Sequence, residues 1–380
     1  MKINKKKFKQ QLLLWYPLLN LIVAYIFKGD MMNTFSITIC GVIILFSYKK
    51  MLKGRVTIIT IFWLFVTLLV SIFRDTKIGV VNCITYLVTV VVFMIYAKED
   101  VGDLKKYFLK CSREFFIMEI IFFLLLIVYV YQYGFTAGWD TYVLQGPYIY
   151  PHTLAYIMLL MLMVNCYIWM NSKKGIAIFF ALICAGGVVL TAVRTVLISV
   201  AILALYVMYK LIDYKKFKKI IFCFSLGIVT LIVAYKMGMF DIVIHKTQLA
   251  LANSSISNGR GKIFEVSLRA LSERMSAKCL FWGVGMDVLQ ANNLRYMGAA
   301  IHAHNDLIDI LVCYGVPNLC IYLIQFYKFS KNKLFWYIGS LGALILFNGL
   351  FTYIDCIPVL VYARILFEES NDKSINTIML

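Results

Sequence analysis

The chain has 380 residues, 62% of them hydrophobic and 16% aromatic, and a formal net charge of +19 at pH 7. Soluble globular domains carry about 45–50% apolar residues, so this composition excludes a water-soluble globule and requires a polytopic membrane protein. The basic excess on its own would also suit nucleic acid, and its distribution along the chain decides between the two.

A helix needs about 20 apolar residues to cross the hydrocarbon core, within a range of roughly 17–25. On that rule about twelve spans are expected, at 11–27, 31–48, 56–73, 78–97, 115–133, 149–170, 175–193, 195–211, 219–237, 303–326, 333–350 and 351–367. Backbone facing lipid must satisfy its hydrogen bonds within helices, so the expected fold is an all-α polytopic membrane protein. No repeat or Pro/Gly-rich linker divides the chain, and residues 1–380 read as a single integral membrane domain. The Lys-rich start through Lys9 precedes an apolar run with no small-residue cleavage pattern after it, which reads as a retained anchor.

With the amino terminus placed inside, the basic residues alternate. The start through Lys9, the turns at Lys49–Arg55, Lys98–Arg113, Lys173–Lys174, Lys210–Lys219 and Lys328–Lys333, and the tail with Arg364 and Lys373 hold most of the 38 Lys and Arg. The short turns on the other side are nearly bare of them. This positive-inside pattern predicts a multi-pass protein of the cytoplasmic membrane with both termini in the cytoplasm and residues 237–301 outside. The positive charge then meets anionic inner-leaflet lipid, with no nucleic acid partner. The ten cysteines mostly fall within apolar spans and show no C-x-x-C spacing, so they read as small buried hydrophobes.

Residues Tyr148–Leu154, with His152 after Pro151, open a middle helix and are expected to line a cavity. Farther on, Arg194 stands between two apolar stretches, where a charge costs roughly 2.5–3.5 kcal/mol at the bilayer centre. Either it snorkels to the interface and marks a tight turn, or it faces a cavity and binds an anion. The 237–301 segment is the one long stretch that a bilayer does not accommodate. In it Ser257-Asn258-Gly259 is turn chemistry, and Ile263, Phe264, Ser267, Leu268, Leu271 and Met275 then recur at helical spacing. The expected element is an amphipathic helix lying on the membrane or over a cavity. Arg260 falls at its first turn, where free backbone N–H groups and a guanidinium together suit a phosphate. Gly283-Val284-Gly285 reads as a sharp turn or a close backbone approach to a ligand.

The segment closes in His302-Ala303-His304-Asn305-Asp306. Two imidazoles at this spacing can ligate a metal in extended chain, but the chain has only His152, His245, His302 and His304 and no helical metal motif. A histidine proton acceptor fits better, with Asn305 and Asp306 placed to orient a ring or a substrate hydroxyl. His302 and His152 are further candidates for supporting roles.

Taken together, Arg194, Gly259-Arg260, Gly283-Val284-Gly285, His304-Asn305 and Tyr314-Gly315-Val316, in this order, resemble the O-antigen ligase and bacterial polysaccharide repeat-unit polymerase superfamily. The resemblance spans about residues 145–330 in its motifs and the whole chain in helix count. It implies a fold similar to the GT-C-like glycosyltransferases that use lipid-linked sugars. It also implies a metal-independent, inverting enzyme with no cofactor and an undecaprenyl-pyrophosphate-linked oligosaccharide as substrate. Arg194 and Arg260 would hold the pyrophosphate and His304 would take the acceptor proton. A chain-length regulator and a flippase of the same pathway are the implied partners. Two departures stand out: Asp306-Leu307 follows the His-Asn pair, and Leu280-Phe281-Trp282 stands where a proline often precedes the glycine turn. A Lys/Ile/Asn-rich composition suggests a cell without lipopolysaccharide and favours a capsular or exopolysaccharide polymerase over an O-antigen ligase. From another class, a repeat-unit flippase or transporter also fits twelve spans, but no matching halves are visible.

Overall fold

The computed structural model describes residues 5–27, 32–51, 55–98, 101–138, 141–172, 174–213, 240–252, 260–330 and 356–367, with scattered positions between 221 and 238 and residue 349. By length and composition seven helices suffice to cross a membrane: Lys6–Phe27, Thr57–Arg74, Lys77–Lys98, Ser112–Tyr133, Pro151–Asn171, Arg194–Ile212 and Asp306–Ser330. Three shorter apolar helices, Phe35–Leu45, Ile176–Thr191 and Ile357–Leu366, accompany them. These ten helices fall on ten of the twelve expected spans. Of the spans at 333–350 and 219–237, only residue 349 and a few scattered positions, respectively, lie within the described residues. In a chain expected to be all-α, a two-stranded antiparallel hairpin, Thr136–Gly138 with Thr141–Val143, is a small departure.

Two helices act as hubs. Pro151–Asn171 is buried along nearly its whole length and packs against Ile176–Thr191, Arg194–Asp213 and Cys356–Phe367. Being apolar all round, it has no face suited to solvent. Pro151 starts it cleanly after the extended Tyr150 (φ −128°, ψ 142°), because proline pre-sets a helical φ and lacks the N–H that would be orphaned there. The second hub, Lys77–Lys98, packs against Met32–Met51, Arg55–Arg74 and Asp306–Ser330. Tyr86 stacks on Tyr314 with ring centroids 5.1 Å apart, and Phe93 meets Tyr322, Phe326 and Phe329.

Polar contacts sort the helix termini into two ends. At one, Lys6 pairs with Asp103 at 2.5 Å, Lys98 donates to Thr57 at 2.7 Å and Lys174 to Ser112. At the other, Tyr25 donates to Gln132 at 3.0 Å, Thr76 to Asp287 at 2.9 Å, and the Leu144 N–H to the Leu190 carbonyl at 2.9 Å. Lys6–Phe27, Lys77–Lys98 and Ser112–Tyr133 each have one terminus in each group. The bundle therefore has a basic end and an opposite end, and the second collects the hairpin, the start of the Arg194 helix and the polar segment before residue 306.

Candidate active site at the end opposite the basic turns

Between 240 and 301 the described chain forms four helices, Asp241–Ala252, Arg260–Ser272, Ala277–Trp282 and Met286–Met297. The expected amphipathic helix is the second of these, but its buried face is rotated from the expected stripe. Ile263, Val266, Ser267, Ala270 and Leu271 are inside, while Leu268 and Met275 are exposed. Its partner sets the rotation: Asn292 donates to the Val266 carbonyl at 2.7 Å and Asn293 to Ser267 Oγ at 3.1 Å. The face therefore packs on the Met286–Met297 helix. The turn at Ser257-Asn258-Gly259 lies outside the described residues.

Asn293 also donates to the Ile301 carbonyl at 2.8 Å, which ties the Arg260 helix and the histidine turn to one side chain. In that turn His304 is partly buried with φ 55°, the left-handed region that residues other than glycine seldom occupy. His302 is different. Its Nδ1 is sealed from solvent and has no hydrogen-bond partner among the described residues. Burial first, and the neighbouring His304 second, lower its pKa to about 4, so at neutral pH it is uncharged and a poor proton acceptor.

Two supporting candidates have partners of their own. Asn305 caps the next helix: its Oδ1 accepts from the Leu307 and Ile308 N–H groups at 3.0 and 3.2 Å, an ordinary N-cap arrangement. Asp306 turns into the bundle, where Tyr322 donates to its Oδ2 at 3.1 Å.

The expected span at 303–326 falls on the apolar helix Asp306–Ser330, and that last contact shows that this helix is not continuous. Sixteen residues of continuous helix would separate positions 306 and 322 by about 24 Å, far beyond the reach of two side chains. The halves fold back on each other at Gly315 (φ 83°, ψ 176°), with Pro317 just after the break. Asn318 repairs the opened backbone, donating to the Tyr314 carbonyl at 2.8 Å while its Oδ1 accepts from Tyr86 and Thr67, both at 3.1 Å.

The break is held by a residue that the sequence reading missed. Arg74 Nη1 donates to the Trp282 and Gly283 carbonyls at 3.0 and 3.2 Å, and Nη2 to the Cys313 carbonyl at 2.9 Å. The same guanidinium binds the Asp75 carboxylate at 3.1–3.2 Å. Carbonyls at helix C-termini lack intrahelical donors and favour a cation, and Arg74 serves two such ends at once. Gly283 (φ 72°) and Gly285 (φ 95°) make room for it. A Cβ on the first would overlap the Cys313 carbonyl, and one on the second would overlap Asp75 and lie 2.7 Å from Arg74 Nε. The glycine turn thus admits backbone and a guanidinium. The available signal was an Arg-Asp pair closing an apolar span on the side otherwise poor in positive charge.

Arg194 begins its helix just after Ala192, which takes a left-handed conformation (φ 53°), and is partly buried. The loop after the hairpin is held beside it by the Leu144–Leu190 bond. Its helix packs on Pro151–Asn171 and Ile176–Thr191, whereas the Arg260 helix packs on Met286–Met297 and Asp306–Ser330. Arg260 and the His304 turn therefore share one packed group, and Arg194 belongs to another at the same end of the bundle. His152 lies in the first turn of its helix, its ring centroid 6.5 Å from that of Tyr156. Among the described residues, no group of three or more His, Cys, Asp or Glu side chains is placed to hold a metal ion.

This geometry is that of an α-helical protein with seven helices long and apolar enough to cross a membrane, as in a polytopic membrane protein. Residues 178–323 match the family described as O-Antigen ligase. The matched stretch contains Arg194, Arg260, the Gly283–Gly285 turn, His304 and the Gly315 break, and it supports the O-antigen ligase and polymerase superfamily. No curated protein and no solved structure matches the chain.

Proposed function

We propose that the protein is a polymerase that joins undecaprenyl-pyrophosphate-linked oligosaccharide repeat units into a capsular polysaccharide, exopolysaccharide or O-antigen at the outer face of the cytoplasmic membrane. The observation that carries this reading is His304 in a left-handed turn at the same bundle end as Arg194 and Arg260, all three within the matched region. The basic turns lie at the opposite end, which supports an extracytoplasmic site.

In the proposed reaction His304 removes the proton from the acceptor hydroxyl, and the oxygen attacks the anomeric carbon of the donor with inversion. The bond from that carbon to the pyrophosphate oxygen breaks, and undecaprenyl pyrophosphate leaves. Guanidinium remains charged and forks onto phosphate oxygens, so Arg194 and Arg260 would stabilise charge building on the leaving group. The low pKa of His302 supports His304 as the base of the pair.

The test is purified protein given lipid-linked repeat units without ATP or added metal. A ladder of lengthening glycan is expected. A single transfer to a lipid A-core acceptor, with no ladder, would make the protein a ligase, and no transfer to either acceptor would refute the enzyme reading. Arg194→Lys and Arg260→Lys are both expected to fail, because lysine keeps the charge and loses the planar fork.

A further inference from the structure

Beneath His304 lies a buried carboxylate to which the reaction above assigns no part. Asp309 is fully buried in the first turns of the helix that follows the histidine turn. Its Oδ1 accepts the Ala303 N–H at 2.9 Å, and its Oδ2 is sealed from solvent with no hydrogen-bond partner among the described residues. Its own N–H donates to the Asn305 carbonyl at 2.9 Å. The Asp309 side chain thus holds the chain immediately before His304, while its backbone closes the first helical turn after it. The N-cap made by Asn305 is what a helix start commonly has, but the reach back to Ala303 crosses the histidine and is not needed to begin the helix. Something must hold that turn, because a residue other than glycine in a sparsely populated backbone region persists only where its surroundings impose it.

We propose that Asp309 is a positioning residue for His304, anchoring the backbone immediately before it so that the imidazole is presented to the acceptor hydroxyl from a fixed left-handed turn. The proposal rests on the reading of His304 as the proton acceptor. Asp309 touches neither donor nor acceptor and acts through the turn. A misplacement of about 1 Å in a reacting group can cost roughly 10²-fold in rate.

The experiment measures turnover, donor-lipid affinity and detergent melting for Asp309→Ala, Asp309→Asn, His304→Ala and the Asp309→Ala/His304→Ala double variant. Asp309→Ala is expected to lower turnover roughly 10²-fold with donor affinity near that of the parent protein. Asp309→Asn keeps an oxygen for the Ala303 N–H and is expected to recover most of that loss. Because Asp309 acts through His304, adding Asp309→Ala to His304→Ala should cost nothing further, the non-additivity of residues that work as one unit. A merely structural role would slow both backgrounds equally. Equal slowing, parental turnover in Asp309→Ala, or a loss of donor affinity in place of turnover would overturn the proposal. If Asp309→Ala does not fold, Asp309→Asn with impaired turnover and intact melting overturns it as well. An active His304→Ala variant would instead remove the base reading itself, and is told apart by that variant alone.

Discussion

Replacing Arg74 by alanine removes the donor shared by the Trp282, Gly283 and Cys313 carbonyls and leaves the Asp75 carboxylate without its cation. An exposed ion pair is worth about 0–1 kcal/mol, but Asp75 is only 1% exposed, against 24% for Arg74. Breaking a buried pair by removing one partner costs about 3–5 kcal/mol, and three helix-end carbonyls lose a donor as well. Ser71 still donates to Asp75 at 2.7 Å and water can reach the vacated space, so the lower part of that range applies, about 3–4 kcal/mol. The cost falls on the contact between the 277–287 segment and the folded-back helix, where the Val284 N–H donates to the Val312 carbonyl at 2.7 Å. At 1.4 kcal/mol per tenfold, the Val284 amide should exchange with deuterium roughly 10²-fold to 10³-fold faster in Arg74→Ala, as read by mass spectrometry in detergent. Arg74→Lys should recover part of the protection, because an ammonium pairs with Asp75 but does not span three carbonyls. Unchanged exchange at Val284 in Arg74→Ala would show that the guanidinium does not hold the break.

Gly285→Ala combines a positive φ with overlap onto Asp75 and Arg74, and should speed the same exchange and lower the melting temperature. Gly175→Ala, which meets nothing within 4 Å, should be tolerated, and equal melting of the two variants would contradict the packing argument. His302, with a folded pKa of about 4 against an ordinary 6.5, binds its proton more readily when unfolded. The stability it contributes is present above pH 6.5 and is lost as the pH falls toward 4, at up to about 1.4 kcal/mol per pH unit. Melting temperature should fall across that window and less so in His302→Gln; identical slopes would exclude His302 as the cause. For orientation, in a background with the ten cysteines replaced, Lys278→Cys should react with an impermeant maleimide in intact cells and Gly175→Cys only after lysis. The reverse would invert the proposed topology.

Much of the architecture is legible in the sequence because a bilayer leaves the chain few choices. Apolar runs of sufficient length must become helices, and the basic turns assign their termini to two ends, which is how Lys98 and Lys174 come to lie on one side and Arg194 and His304 on the other. The order of Arg194, Arg260, the glycine turn and His304-Asn305 is likewise a property of the chain, and it carries the family resemblance. The reversal at Gly315 is not legible in this way, since hydropathy sums composition along the chain and gives a kinked, straight or folded-back apolar helix the same signal. The backbone of Gly315 and the contact between Asp306 and Tyr322 distinguish them. The rotation of the Arg260 helix depends on Asn292 and Asn293 across its interface, and Arg74 finds its carbonyls 208, 209 and 239 residues away. Asn305 and Asp309 differ in the same way, one capping a helix and the other holding the Ala303 N–H just before His304. Spacing states which side chains a segment carries, but hydrogen-bond partners distant in sequence are chosen by how helices pack, and that choice exists only once the chain has folded.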